Sequence, residues 1–326
     1  MLKKNTANGN AQKRLNRGGY AWNTWPAWVK GSSLIIIFVL LLILYFMLKS
    51  PEVNENKATW LWDASIIEEH TDQIVTFLTE QKVNTVFLQT KNSVSDEAYR
   101  HFNAAAQAHD ISVHALNGHA DWAYTEKREE GTAWVEWVKN FNQEAAPEEQ
   151  FAGVQFDVEP YQLGRWEREE QAVIAEWSEN IEEWIQVGSE GNLYMSAAVP
   201  FWLDKRESSD GEGTFSRWMI DKFDAIAIMA YRDSGQQMYD LSKEELAEAD
   251  ELDKKVWIGA ELGHTDEGEH LTFYRKAVTN MESEMEIAAE LGTKHHSFAG
   301  LAVHHYEVWY EKMNDGVSLV RKENKQ

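Results

Sequence analysis

Between residues 58 and 305 the chain changes its hydrophobic rhythm eight times. Short apolar segments lie at 58–63, 83–89, 111–116, 151–159, 193–199, 224–231, 256–262 and 298–305, and each has the length and β-branched or aromatic content of a buried strand. Amphipathic stretches separate them. The clearest places Ile174, Trp177, Ile181 and Trp184 at helical spacing, a stripe suited to covering a strand layer. Strict alternation of strand and helix predicts parallel strands joined by helical crossovers, and eight such units predict a closed (β/α)8 barrel over residues 58–326.

The first 50 residues are built differently. They hold Lys3, Lys4, Lys13, Arg14, Arg17, Lys30 and Lys49, no acidic residue, and an apolar run from Leu34 to Leu48. Residues 31–48 carry no charge and are just long enough to cross a bilayer as one helix. The competing reading is the core of a cleaved signal peptide, but the residues after Leu48 offer no small-x-small cleavage site. The expected organisation is a basic cytoplasmic segment at 1–30, a transmembrane signal anchor at 31–48, a polar stalk at 49–57 and the barrel beyond. Six of the seven basic residues precede the apolar run, which places the N-terminus inside the cell and the barrel outside.

Charge narrows the partners. All 54 acidic residues follow residue 50, against 24 of the 31 Lys and Arg, a net charge of −30 on the exported part. Nucleic acid is therefore excluded as an expected partner. The chain has no cysteine, so no disulfide holds the barrel and its core must do so. With 15 Trp, 13 Phe and 11 Tyr, that core is well supplied.

Candidate chemistry concentrates where barrels carry it, at the C-terminal ends of the strands. The segment 151–159 alternates so that Val154, Phe156 and Val158 face one way while Gln155, Asp157 and Glu159 face the other. If the apolar face meets the helices, two carboxyl groups enter the barrel about 6 to 7 Å apart along the backbone. Such a pair suits glycoside cleavage, which needs an acid for the leaving oxygen and a group that stabilises the sugar centre. Glu159, the outer residue, is expected to be the acid, its pKa raised by its neighbour. The other strand ends offer Trp62, Asp63, Gln89, Asn117, Trp202, Tyr231, Glu261, His304 and Tyr306, all side chains able to bind a polar ligand. His304 and His305 point to opposite faces, and by phase with Ala302 it is His304 that turns inward. No paired-ligand spacing predicts a metal, and no phosphate-binding Gly-rich loop or G-x-S-x-G elbow predicts a cofactor or a serine nucleophile.

The stretch around Glu159 resembles the fourth-strand signature of family 18 glycoside hydrolases, the chitinase-like barrels, written D-x-x-D-x-D-x-E. Its last two positions are Asp157 and Glu159, while Ala152 and Gln155 stand at the first two. Met229, Ala230 and Tyr231, with Asp233 one place late, resemble the family's sixth-strand M-x-Y-D motif. The resemblance implies an N-acetylhexosamine polymer as substrate, Glu159 as proton donor, and Asp157 and Tyr231 holding the acetamido group whose oxygen attacks the anomeric carbon. Sugar binding is expected of the remaining strand-end residues, of Met229 and of Gln155.

Two further readings stay open. Glu261 shares the inward phase of Trp257 and Gly259, so Glu159 and Glu261 form an alternative pair resembling the clan A retaining glycosidases, with Glu261 as nucleophile. A barrel that binds sugar or cell wall without turnover is the reading from another class.

Overall fold

In the computed structural model the described residues run from 56 to 320. The predicted membrane anchor at 31–48 and the boundaries before residue 56 lie outside them. Among the described residues no helix is long and apolar enough to cross a membrane.

Eight strands, β1 (Lys57–Leu61), β2 (Thr85–Gln89), β3 (Ser112–Asn117), β4 (Gly153–Phe156), β5 (Tyr194–Pro200), β6 (Ala225–Met229), β7 (Lys255–Glu261) and β8 (Phe298–His304), close into a barrel in sequence order. All eight pairings are parallel, and β8 returns to β1 with Ala58 opposite Ala302. The principal helices between them are α1 (Ile67–Glu80), α2 (Asp96–Gln107), α3 (Arg128–Glu144), α4 (Trp166–Glu190), α5 (Phe215–Lys222), α6 (Gly235–Asp240), α7 (Lys243–Leu252) and α8 (Val278–Gly292), with α9 (Tyr306–Met313) following β8. Each of the eight apolar segments overlaps one strand. In α4 the predicted stripe of Ile174, Trp177, Ile181 and Trp184 is buried.

Strand alternation sorts the apolar residues into two cores. Val154, Phe156 and Val158 join the layer between sheet and helices. Inside the barrel Ala58, Trp60, Phe87, Leu116, Ala227 and Ala302 form a second, smaller cluster. Gln155 projects into that inner cluster, fully buried, and its Oε1 accepts the Trp60 indole N–H at 2.7 Å. A buried amide oxygen without such a donor would cost a few kcal/mol, so this bond fixes both side chains in the barrel floor.

The fourth strand is shorter than its alternation predicts. Its regular part ends at Phe156, although the Asp157 N–H still bonds the Asn117 carbonyl at 3.0 Å. Glu159 leaves the extended backbone, and Pro160 opens a single 3-10 turn over Pro160–Gln162. Asp157 and Glu159 therefore sit on the loop just past the strand, where the chain begins to turn across the barrel mouth.

Candidate active site

The C-terminal mouth holds a cavity of about 510 Å³, large enough for a short saccharide. Trp60 and Trp62 reach it from β1, Asp157, Glu159 and Tyr161 from beyond β4, and Trp202 from the turn after β5. Met229, Tyr231 and Arg232 reach it from β6, Glu261 from β7 and His304 from β8. A depression of about 810 Å³ at the opposite end is lined mainly by amides and backbone around the starts of β3, β4 and β5. It lacks the paired carboxyls and aromatic walls of the mouth.

Backbone packing at two glycines sets the carboxyl side of the cavity. A Cβ on Gly118 would fall 2.0 Å from the Asp157 carbonyl oxygen, so only glycine lets the end of β3 pass this close to the chain after β4. A Cβ on Gly259 would meet the Ile228 carbonyl at 2.8 Å and the Tyr231 ring at 3.2 Å. That inward position on β7 is left empty for Tyr231, whose ring lies 5.6 Å from His304.

Asp157 and Glu159 interact directly, and the raised carboxyl of the pair is Asp157. Burial first, then the Glu159 charge, pushes Asp157 well above the ordinary carboxylate range. This differs from the expectation that the shift falls on the outer residue. Asp157 is the deeper group, and one of its oxygens is buried with no hydrogen-bond partner among the described residues. The residue beneath it is the neutral Gln155, so no second charge adds to the effect of Glu159. Glu159 reaches outward, its Oε2 accepting a bond from the Gln162 side-chain amide. Tyr161 and Tyr231 both keep their phenolic protons because burial pushes them above the ordinary tyrosine value. The next cause is the Glu159 charge for Tyr161 and the Glu261 charge for Tyr231.

A second network spans β1, β7 and β8. The Trp62 indole donates to His304 Nε2 at 3.0 Å, and His304 Nδ1 lies 2.7 Å from Glu261 Oε2. Indole N–H is donor only, so Nε2 is the acceptor and the proton of a neutral His304 sits on Nδ1, aimed at the carboxylate. The other oxygen of Glu261 accepts the Gly263 backbone N–H. Both Glu261 oxygens are thus occupied.

Of the residues that the sequence nominates, Asp157, Glu159, Tyr231, Met229, Glu261, His304, Trp62 and Trp202 meet around this one cavity. Five do not line it. Asp63 caps a short turn by accepting from the Ser65 N–H and hydroxyl, and it pairs with Lys91. Asn117 spends its amide on the Gly118 N–H and Thr90. Gln89 ends β2 on the same side, where the cavity has no wall. Tyr306 is fully buried against Phe77, and Gln155 lies below the cavity with Trp60. Trp62 and Trp202 edge the cavity, whereas Trp122 and Trp309 are buried in the helix–sheet core.

Two aromatic residues beyond those nominated for the site, Trp60 and Tyr161, also line the cavity. Trp60 shares the inward phase of Trp62, which the strand alternation alone predicts. Tyr161 crosses the Trp202 ring edge-on at 4.8 Å, which no spacing in the chain foretells. His264, Thr265, Glu267 and Leu271 come from the loop after β7, which carries no motif. Among the described residues no group of three or more His, Cys, Asp or Glu is placed to hold a metal.

No family model and no curated protein matches this chain. Solved structures with a similar frame include the glycoside hydrolase domain of PgaB (BpsB) from Bordetella bronchiseptica, 9% identical over 83% of this chain and 100% of that one, with a TM-score of 0.49. The spore cortex-lytic enzyme SleL of Bacillus megaterium is 11% identical over 78% of this chain and 71% of its own, also at 0.49. A chitinase from Bacteroides thetaiotaomicron is 10% identical over 83% and 98%, at 0.46. At these identities the likeness concerns the barrel frame, which the strand order already shows, and not the side chains that line it.

Proposed function

We propose that this barrel is a glycoside hydrolase acting on a polymer that contains N-acetylhexosamine, by a retaining mechanism in which the substrate's own acetamido oxygen attacks the anomeric carbon. The observation that carries the reading is the Asp157–Glu159 pair, one member raised by burial, at the floor of an aromatic-walled cavity beside Tyr231. A raised carboxyl next to a second one is the arrangement that holds a proton at neutral pH and delivers it.

The roles follow from depth. Glu159 is the outer carboxyl and meets the glycosidic oxygen, donating the proton as the bond to the leaving sugar breaks. Asp157 lies deeper with an unpartnered oxygen, suited to accept the acetamido N–H and steer its carbonyl oxygen toward the anomeric carbon. Tyr231, still protonated, donates its hydroxyl to the acetamido oxygen from the β6 side. Water then opens the cyclic intermediate, with Glu159 taking back a proton. Trp60, Trp62 and Trp202 supply apolar faces for sugar rings. The occupied oxygens of Glu261 argue against its serving as a nucleophile and favour a positioning role through His304. The signal anchor expected at 31–48 would hold the domain outside the cell, where wall or chitin-like glycans are accessible.

A thiazoline that mimics the cyclic intermediate tests the mechanism. Competitive inhibition of N-acetylglucosaminide hydrolysis, with affinity at least about 100-fold above that of the parent sugar, is expected. Hydrolysis that ignores the thiazoline contradicts substrate assistance, and saccharide binding without any hydrolysis identifies a binding module instead.

A further inference from the structure

The cavity wall contains one Lys or Arg side chain. Arg232, one residue past Tyr231, lines it beside Phe201 and Trp202. Its guanidinium lies over the Phe201 ring, 5.2 Å from the centroid, and one N–H bonds the Tyr231 carbonyl at 2.6 Å. These contacts hold the side chain without neutralising it, and they use one of its five donors. Among the described residues six of the eight arginines pair with carboxylates, yet Arg232 forms no ion pair despite the acids around it.

A neutral sugar needs no guanidinium. An acidic one does, because Asp157, Glu159, Glu261 and Glu267 all line this cavity and would repel it. The planar fork of an arginine matches a carboxylate with two parallel N–H donors, and a partly desolvated pair of this kind is worth far more than a surface one. We infer that Arg232 selects a glycan bearing a carboxylate on the amino sugar bound beside Tyr231 or on the sugar next to it, and that the substrate is an acidic amino-sugar polymer rather than a neutral one. This rests on the glycoside hydrolase reading and narrows its substrate class. The carboxylate has two chemical sources, an ether-linked lactyl group on the amino sugar or a neighbouring hexuronate.

Calorimetric titration of the full chain carrying Glu159→Gln separates binding from turnover. The ligands are an alternating N-acetylglucosamine and N-acetylmuramic acid oligosaccharide, an alternating N-acetylglucosamine and glucuronate oligosaccharide, and the carboxyl-reduced form of each. At least about 10-fold tighter binding of one carboxylate form over its reduced counterpart is expected. Whichever pair shows it assigns the source. The preference should weaken with salt, shrink in Arg232→Lys and vanish in Arg232→Gln, with thermal midpoints recorded to show that both variants fold. Equal affinity for the carboxylate and reduced forms, or a preference that survives Arg232→Gln, overturns this inference and leaves the hydrolase reading standing. Binding of none of the four overturns both.

Discussion

Glu261 on β7 and His304 on β8 meet through a 2.7 Å contact, and the Trp62 indole on the far side of the imidazole decides which way its proton points. With Nε2 accepting from Trp62, Nδ1 donates to Glu261, so the carboxylate is a fixed acceptor. Replacing Glu261 by Ala is therefore expected to loosen His304 and the sugar it contacts, lowering kcat/KM by about 10- to 100-fold. Added azide should restore nothing. A far larger loss, rescued by azide with inverted product, would mark Glu261 as the nucleophile and contradict this assignment.

The pH profile should belong to the Asp157–Glu159 pair rather than to either residue. Asp157 has its pKa raised by burial and by Glu159, so the pair's proton is present below that raised value and lost as pH climbs through it. Activity is expected to fall on the alkaline side accordingly. In Asp157→Asn the second negative charge is gone, and the alkaline limb should move toward lower pH with kcat reduced by about 100-fold or more. An unmoved limb, measured as kcat/KM from pH 4 to 9, would show that Asp157 does not share the titration.

Glu245 on α7, which does not line the cavity, offers a stability test. It is 2% exposed, forms no ion pair among the described residues, and is pushed up to about 8, first by burial and then by the charges of Asp204, Glu248 and Glu244. The folded state therefore binds more protons than the unfolded chain between its ordinary value of 4.5 and about 8, and stability must decline as pH rises across that window. Glu245→Gln should remove this decline, gaining on the order of a few kcal/mol relative to the native chain between pH 5 and pH 9. Denaturant midpoints at those two pH values check it, and parallel curves would contradict it.

The barrel was legible because hydrophobic periodicity is local. Eight strand segments and the α4 stripe follow from which residues repeat at two and which at 3.6, and the inward turn of Gln155 follows from the same parity. Parity also predicts that Asp157 and Glu159 share a face, but it says nothing about depth. Pro160 ends the regular backbone, and the deeper position makes Asp157, not Glu159, the residue raised by burial. What stayed hidden depends on distant contacts. The partner of Glu261 stands 43 residues away, and the Asn117 side chain is taken up by Gly118 and Thr90, so it ends its strand without lining the cavity, as Gln89 does.

The central claim is that Glu159 donates the proton to the leaving group. It is tested most directly by comparing Glu159→Gln with the native chain on two substrates, an N-acetylglucosamine oligosaccharide and an aryl N-acetylglucosaminide whose leaving group needs no protonation. The account predicts a loss of about 10²- to 10⁴-fold on the oligosaccharide and a much smaller loss on the aryl glycoside. Undiminished turnover of the oligosaccharide by Glu159→Gln would contradict it.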